Sequence, residues 1–193
     1  CVETGAFGNE AYILTGYFNI PKIFELTLNN GYDKMTGQQL GLKLGYATEF
    51  ESYEELYDAF KRQMKYFIDI KVQGSNVIEK IYAEEMPVPF LSIITNDCIS
   101  KGKDYNGGGA RYNTKYLQGV GIGTITDCLA SVKYNVYEKK NFSMKELMQA
   151  LDDNFEGHDR ILNLVSNKTP KYGNDDEYAD SIMRDVFEYY RSQ

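Results

Sequence analysis

The sequence predicts an α/β fold, and three observations carry that reading. A β-rich run occupies residues 11–18, several later segments repeat apolar residues with helical spacing, and glycine-rich turns separate them. The first nine residues hold Gly5 and Gly8 and show little periodicity. With the strand-like run and the apolar residues 21–28 they read as a loop or tight hairpin entering the core. Residues 29–45 open on Asn29-Asn30-Gly31-Tyr32-Asp33 and carry few apolar runs, which marks a surface excursion.

Ser52-Tyr53-Glu54-Glu55 is a capping box, in which a hydroxyl and a carboxylate satisfy two backbone N–H groups at a helix start. Tyr53, Leu56, Tyr57, Phe60, Met64, Phe67, Ile68 and Lys71 then recur at intervals of three and four, and Val72, Ile78 and Ile81 extend the stripe. That pattern predicts a long amphipathic helix whose stripe is core. Pro87 and Pro89 end it, and Phe90-Leu91-Ser92-Ile93-Ile94 reads as a short apolar strand. A second helix follows Gly119-Val120-Gly121-Ile122-Gly123, with Ile125, Cys128, Leu129 and Val132 on one face. A third opens at the capping box Ser143-Met144-Lys145-Glu146, and a fourth carries Tyr178, Ile182, Met183, Val186 and Phe187.

The 193 residues suit one domain or a large part of one, and 42% hydrophobic content is enough for a sizeable core. A net charge of −7, with both signs interspersed, argues against a nucleic-acid or anionic-membrane surface. The mean hydropathy of −0.48, without an apolar run of spanning length, predicts a soluble chain. Cys1, Cys98 and Cys128 form neither a disulfide framework nor a paired metal motif, so a reduced cytoplasmic setting fits best. The first residue is not Met, so either processing exposed Cys1 or, as is commoner, the sequence is expected to start inside a longer protein.

Cys1 and Glu3 are two residues apart, so an extended backbone would put their side chains on the same face, about 6.5 Å apart by Cα spacing, and a thiol and a carboxylate would then share one small volume. Such a pair suits chemistry in which sulfur takes a hydrogen atom while the carboxylate moves a proton nearby. The other candidates have plainer readings. The glycines at 119, 121 and 123 miss the dinucleotide spacing and are expected to serve helix packing. His158, alone of its kind, is expected to be exposed or locally hydrogen-bonded, with no metal site. Cys98 and Cys128 read as small buried hydrophobes, and Asp175-Asp176-Glu177 as the start of a helix.

Seven strings, taken together and in order, carry a resemblance: Cys1-Val2-Glu3-Thr4-Gly5, Thr15-Gly16-Tyr17-Phe18-Asn19, Pro87-Val88-Pro89-Phe90, Asp97-Cys98-Ile99, Gly108-Gly109-Ala110-Arg111-Tyr112-Asn113, Gln118-Gly119-Val120-Gly121-Ile122 and Asn154-Phe155-Glu156-Gly157-His158. The sequence resembles the glycyl radical enzymes of the pyruvate formate-lyase-like superfamily over nearly its whole length. Its Cys-Val-Glu form is similar to the dehydratase and C–N or C–S lyase branch, not to formate lyase with its adjacent cysteines. The continuation Thr4-Gly5-Ala6-Phe7-Gly8 looks most like the trans-4-hydroxy-L-proline dehydratases.

The resemblance implies part, the C-terminal half, of a ten-stranded α/β barrel with surrounding helices, the cysteine lying on a loop pushed into its centre. It implies Cys1 as the thiyl radical, Glu3 as proton acceptor and donor, and Tyr17 as a substrate-pocket residue. It also implies no bound cofactor but a glycyl radical, installed by a radical S-adenosylmethionine activase, together with oxygen sensitivity and a homodimer. The family's glycyl loop is not found here, because no arginine is followed by Val. Residues 1–193 are therefore expected to be an internal fragment of the catalytic domain without the glycyl radical domain, inactive alone. Other readings stay open: a Cys-Val-Glu enzyme acting on glycerol, propanediol, choline or isethionate, an amide hydrolase using Cys1 as an N-terminal nucleophile, or a non-enzymatic α/β binding module.

Overall fold

The computed structural model describes residues 5–193. Contacts divide the chain into two units, Cys1–Phe18 with Asp69–Gly119 and Asn19–Ile68 with Val120–Gln193.

The first unit is built on strands β1 (Glu10–Asn19) and β4 (Tyr112–Val120), which pair with each other. The Tyr112 N–H donates to the Asn9 carbonyl, and the Thr114 hydroxyl reaches the Ala11 carbonyl. Partners thus advance together along both strands, the parallel sense that a long helical connection permits. Of the loop or tight hairpin expected over residues 1–28, no hairpin forms among the described residues. Instead β1 runs directly into helix α1 (Ile20–Leu28), because the Asn19 side chain accepts from the Lys22 N–H at 3.1 Å and Pro21 sits in the first turn, where its missing N–H costs nothing.

The unit also holds the end of helix α2 (Tyr53–Glu85), helix α3 (Pro89–Ile94) and the short α4 (Cys98–Lys101). The strand expected at 90–94 is thus helical. Pro89 opens the turn, and the Ser92 N–H and hydroxyl both return to the Val88 carbonyl. A short apolar run does not distinguish strand from helix, and here the proline decides. The stripe on α2 behaves as core only as far as Ile68. Leu56, Phe60 and Met64 are fully buried, whereas Val72 and Ile81 are exposed. Periodicity states which face a helix is able to bury, not which neighbours are there to cover it.

In the second unit α5 (Ile122–Val132) packs against α8 (Glu177–Ser192) and α1, with α6 (Met144–Asp152) and α7 (Asp159–Asn163) completing the helical set. Ile125, Leu129 and Val186 are fully buried, and Phe24 meets Phe60 edge to face at 5.5 Å. The expected caps form. Ser143 and Glu146 exchange backbone bonds at α6, and Asp176 accepts from the Tyr178 N–H at α8. At α2 the Ser52 hydroxyl accepts from the Glu55 N–H, but the Glu55 carboxylate takes the Glu51 N–H, one residue earlier than a regular capping box.

The surface excursion at 29–45 is an antiparallel hairpin of β2 (Tyr32–Asp33) and β3 (Gln38–Gln39) held by two buried polar anchors. The Gln63 carboxamide accepts from the Leu42 N–H at 2.8 Å and donates to the Leu42 carbonyl at 2.7 Å. Asp33 takes the Lys22 ammonium at 2.6 Å and the Thr36 hydroxyl at 2.6 Å.

Candidate active site

Cys1 and Glu3 lie outside the described residues. What the structure places is the chain that leaves them, from Gly5 onward, and the strand into which it runs. The Glu10 carboxylate, at the start of β1, accepts from the Ala6 N–H at 2.8 Å, from the Thr114 hydroxyl, and from the Tyr116 hydroxyl at 3.1 Å. These bonds, Thr114's above all, hold its carboxyl below the usual range, because they favour the charged form. The Asn96 N–H donates to the Gly8 carbonyl at 2.7 Å, and its side-chain amide donates to Asn9 Oδ1 at 2.9 Å. Residues 6–9 are therefore bonded both to β4 and to the segment after α3. No spacing in the sequence announces this, since Glu10 and Thr114 are far apart along the chain.

Tyr17 stands near the end of β1 and is 54% exposed. Ala11 and Ile13 face the interior, so regular alternation would bury Tyr17 as well, yet Phe18 is the buried residue. Between Ile13 and Phe18 lies Gly16, whose φ of +133° is a conformation that residues with a Cβ rarely adopt.

The string at 108–113 is a locked turn. Arg111 makes a two-pronged contact with Asp97 at 3.0 and 3.1 Å, and the Lys101 ammonium donates to the Ala110 carbonyl. Arg111 holds the Asp97 carboxyl below its ordinary range. Cys98 is buried and Cys128 half-buried, and burial raises both thiols, which makes them poor nucleophiles. His158 bonds Asp153 at 2.9 Å, the local partner expected for it. Strand β4 leads into the glycines at 119–123. Gly121 serves packing: it starts α5 with φ +84°, and the Pro21 ring lies 2.6 Å from where its Cβ would stand.

A cleft of about 650 Å³ lies wholly within the second unit, walled by Phe24, Leu28, Cys128, Leu147 and Phe155. Its rim charges are matched, Lys34 with Asp152 and Lys171 with Asp127. Among the described residues there is no group of three or more metal-ligating side chains and no helix long and apolar enough to cross a membrane.

A parallel pair of strands with helices between them in the chain defines an α/β protein, and the family comparison says which kind. The chain belongs to the pyruvate formate lyase-like family, whose model matches residues 1–193. It is 64% identical over 193 residues to trans-4-hydroxy-L-proline dehydratase of Clostridioides difficile, covering 100% of this chain and 24% of that protein. It is 38% identical over 192 residues to (2S)-3-sulfopropanediol dehydratase of Klebsiella oxytoca, covering 98% and 23%. The crystal structure of the C. difficile hydroxyproline dehydratase with trans-4-hydroxy-L-proline bound superposes with a TM-score of 0.94, covering 100% of this chain and 24% of that one. The fold is thus a segment of the glycyl radical enzyme barrel, and the chain spans about a quarter of the length of the curated relatives it matches.

Proposed function

We propose that the protein carrying this chain is a glycyl radical hydro-lyase that dehydrates trans-4-hydroxy-L-proline to pyrroline-5-carboxylate. The observation that carries the reading is the 64% identity, sustained across all of this chain, to a dehydratase of that substrate, against 38% to a dehydratase of an acyclic one. The matching proteins are dehydratases and lyases, which speaks against the amide-hydrolase and binding-module readings.

In this proposal a glycyl radical stored outside these residues, and installed by a radical S-adenosylmethionine activase, supplies the oxidising equivalent that makes Cys1 a thiyl. The Cys1 sulfur takes a hydrogen atom from the ring carbon beside nitrogen, breaking C–H and forming S–H. Glu3 then assists departure of the neighbouring hydroxyl, which leaves as water with one substrate proton. The product radical recovers hydrogen from Cys1, so the thiyl is regenerated and the net change is loss of one water. Tyr17 belongs to the substrate pocket; its displacement from the strand's regular alternation supports that role. An anaerobic, cytoplasmic homodimer completes the proposal.

The test is an anaerobic assay of the whole protein, with activase and S-adenosylmethionine, against trans-4-hydroxyproline, choline, glycerol and propane-1,2-diol. Turnover of hydroxyproline, abolished by Cys1→Ala and reduced at least a hundredfold by Glu3→Gln, is expected. Exclusive turnover of a non-cyclic substrate would reject the substrate assignment.

A further inference from the structure

We infer that Glu10 is a positioning residue for the Cys1–Glu3 loop, acting as a clamp that ties the backbone leaving the motif to strand β4. Its carboxylate spans two pieces of chain. On one side it accepts the Ala6 N–H at 2.8 Å, and on the other it accepts the Thr114 and Tyr116 hydroxyls of β4. Ala6 is three residues beyond Glu3 and five beyond Cys1, chain reaches of at most about 11 and 18 Å, so the fixed Ala6 amide is the anchor from which the chain runs back to the motif.

The surroundings leave the clamp little slack. A Cβ at Gly5 would collide with the Tyr12 ring and the Glu10 carboxylate, so the chain passes directly against both. The Tyr12 ring stacks on Tyr116 at 6.2 Å, and its N–H donates to the Tyr105 hydroxyl at 2.7 Å. Tyrosines therefore flank the carboxylate and hold its orientation. A neutral carboxamide would serve the same geometry: its one oxygen suffices for the Ala6 N–H, and the Thr114 and Tyr116 hydroxyls, which donate to the carboxylate, are able to turn and accept from its NH2. What the clamp requires is reach and acceptor capacity, not negative charge.

The inference rests on Cys1 and Glu3 being the reacting pair, and the test separates the two. In the activated whole protein, Glu10→Ala, Glu10→Gln and Thr114→Val are compared with the parent for glycyl radical content by EPR, for kcat and KM, and for hydrogen exchange in the peptide containing Ala6. Because displacement of a reacting group by about 1 Å costs on the order of a hundredfold, Glu10→Ala is expected to lower kcat about that much with radical content and KM within about threefold of the parent. Glu10→Gln should restore kcat to within about fivefold, and Thr114→Val should fall between. Exchange around Ala6 should rise in the alanine variant and be restored in the glutamine variant, whichever substrate the enzyme turns over. Equal losses in the alanine and glutamine variants would overturn the clamp in favour of a charge requirement, and parent-like exchange and kcat in all three would overturn it outright. Should Glu10→Ala carry no radical, Thr114→Val decides alone: unchanged exchange at Ala6 rejects the inference. Failure of the parent on hydroxyproline, by contrast, would reject the substrate and leave the exchange result standing.

Discussion

Gln63→Leu tests whether a buried amide, not the hairpin's own two residue pairs, holds residues 38–45 in place. Gln63 is fully buried on α2, and its carboxamide answers both backbone groups of Leu42, at 2.8 and 2.7 Å. Leucine is close in size and keeps the apolar packing, so the substitution removes chiefly the two hydrogen bonds. A buried polar group left without its partner costs about 1–3 kcal/mol, and Leu42 is only half-buried, which lets water recover part of that. The lower end applies to each group, about 2 kcal/mol together. Since 1.4 kcal/mol is tenfold, local opening should become about 30-fold more frequent. Native-state hydrogen exchange of the whole protein reads this directly: the Leu42 amide should lose about 30-fold protection while amides around Leu56 and Phe60, in the first turns of α2, keep theirs. A change under about threefold at Leu42 would refute the reasoning, as would an equal loss at Phe60, which would mean that the substitution had loosened the helix and not the loop.

Gly16→Ala should place a Cβ 2.7 Å from the Lys71 ammonium and force a side-chain-bearing residue to φ +133°, straining β1 by about 1–3 kcal/mol; the expected result is a raised KM for hydroxyproline with normal radical content, and an unchanged KM would separate Tyr17 from the pocket. The Asp33 carboxyl is pulled down to about 2, first by the Lys22 hydrogen bond and then by Thr36. The unfolded chain, with a carboxyl near 3.9, binds more protons there, so this stabilisation is present above about pH 4 and is lost as pH falls toward 2. Denaturation midpoints of the parent should therefore drop more steeply than those of Asp33→Asn over that window, and parallel curves would contradict the assignment.

Local signals in the sequence were reliable wherever the physics is local. The caps at Ser52, Ser143 and Asp176 work through hydroxyls and carboxylates within three residues, and all three start helices. Two misreadings share one cause. Residues 21–28 and 90–94 are short apolar runs, and in each a proline in the first turn, Pro21 or Pro89, decides for helix where periodicity is silent. The non-local part was not legible: the pairing of β1 with β4, the Glu10 bonds across it and the Gln63 anchor all join positions far apart in sequence. Cys1 and Glu3 are proposed from the resemblance to a known register, and they lie outside the described residues.

Strand β1 explains why these functional readings converge on one short stretch. Its first residue, Glu10, bonds back to the chain emerging from the Cys-Val-Glu motif, while Gly16, at positive φ, lies near its last residues. An unbroken strand would have to bury either Tyr17 or Phe18 by parity alone, and the parity set by Ala11 and Ile13 selects Tyr17. Phe18 instead takes the buried position and Tyr17 the exposed face. The same strand thus holds the Ala6 amide at one end and carries an exposed aromatic hydroxyl, Tyr17, near the other. Each end uses a residue that the strand itself does not favour: a carboxylate, and a glycine at positive φ. Departures from good strand sequence at both ends of one element are what a barrel strand would show if its ends served the pocket and only its middle served the core.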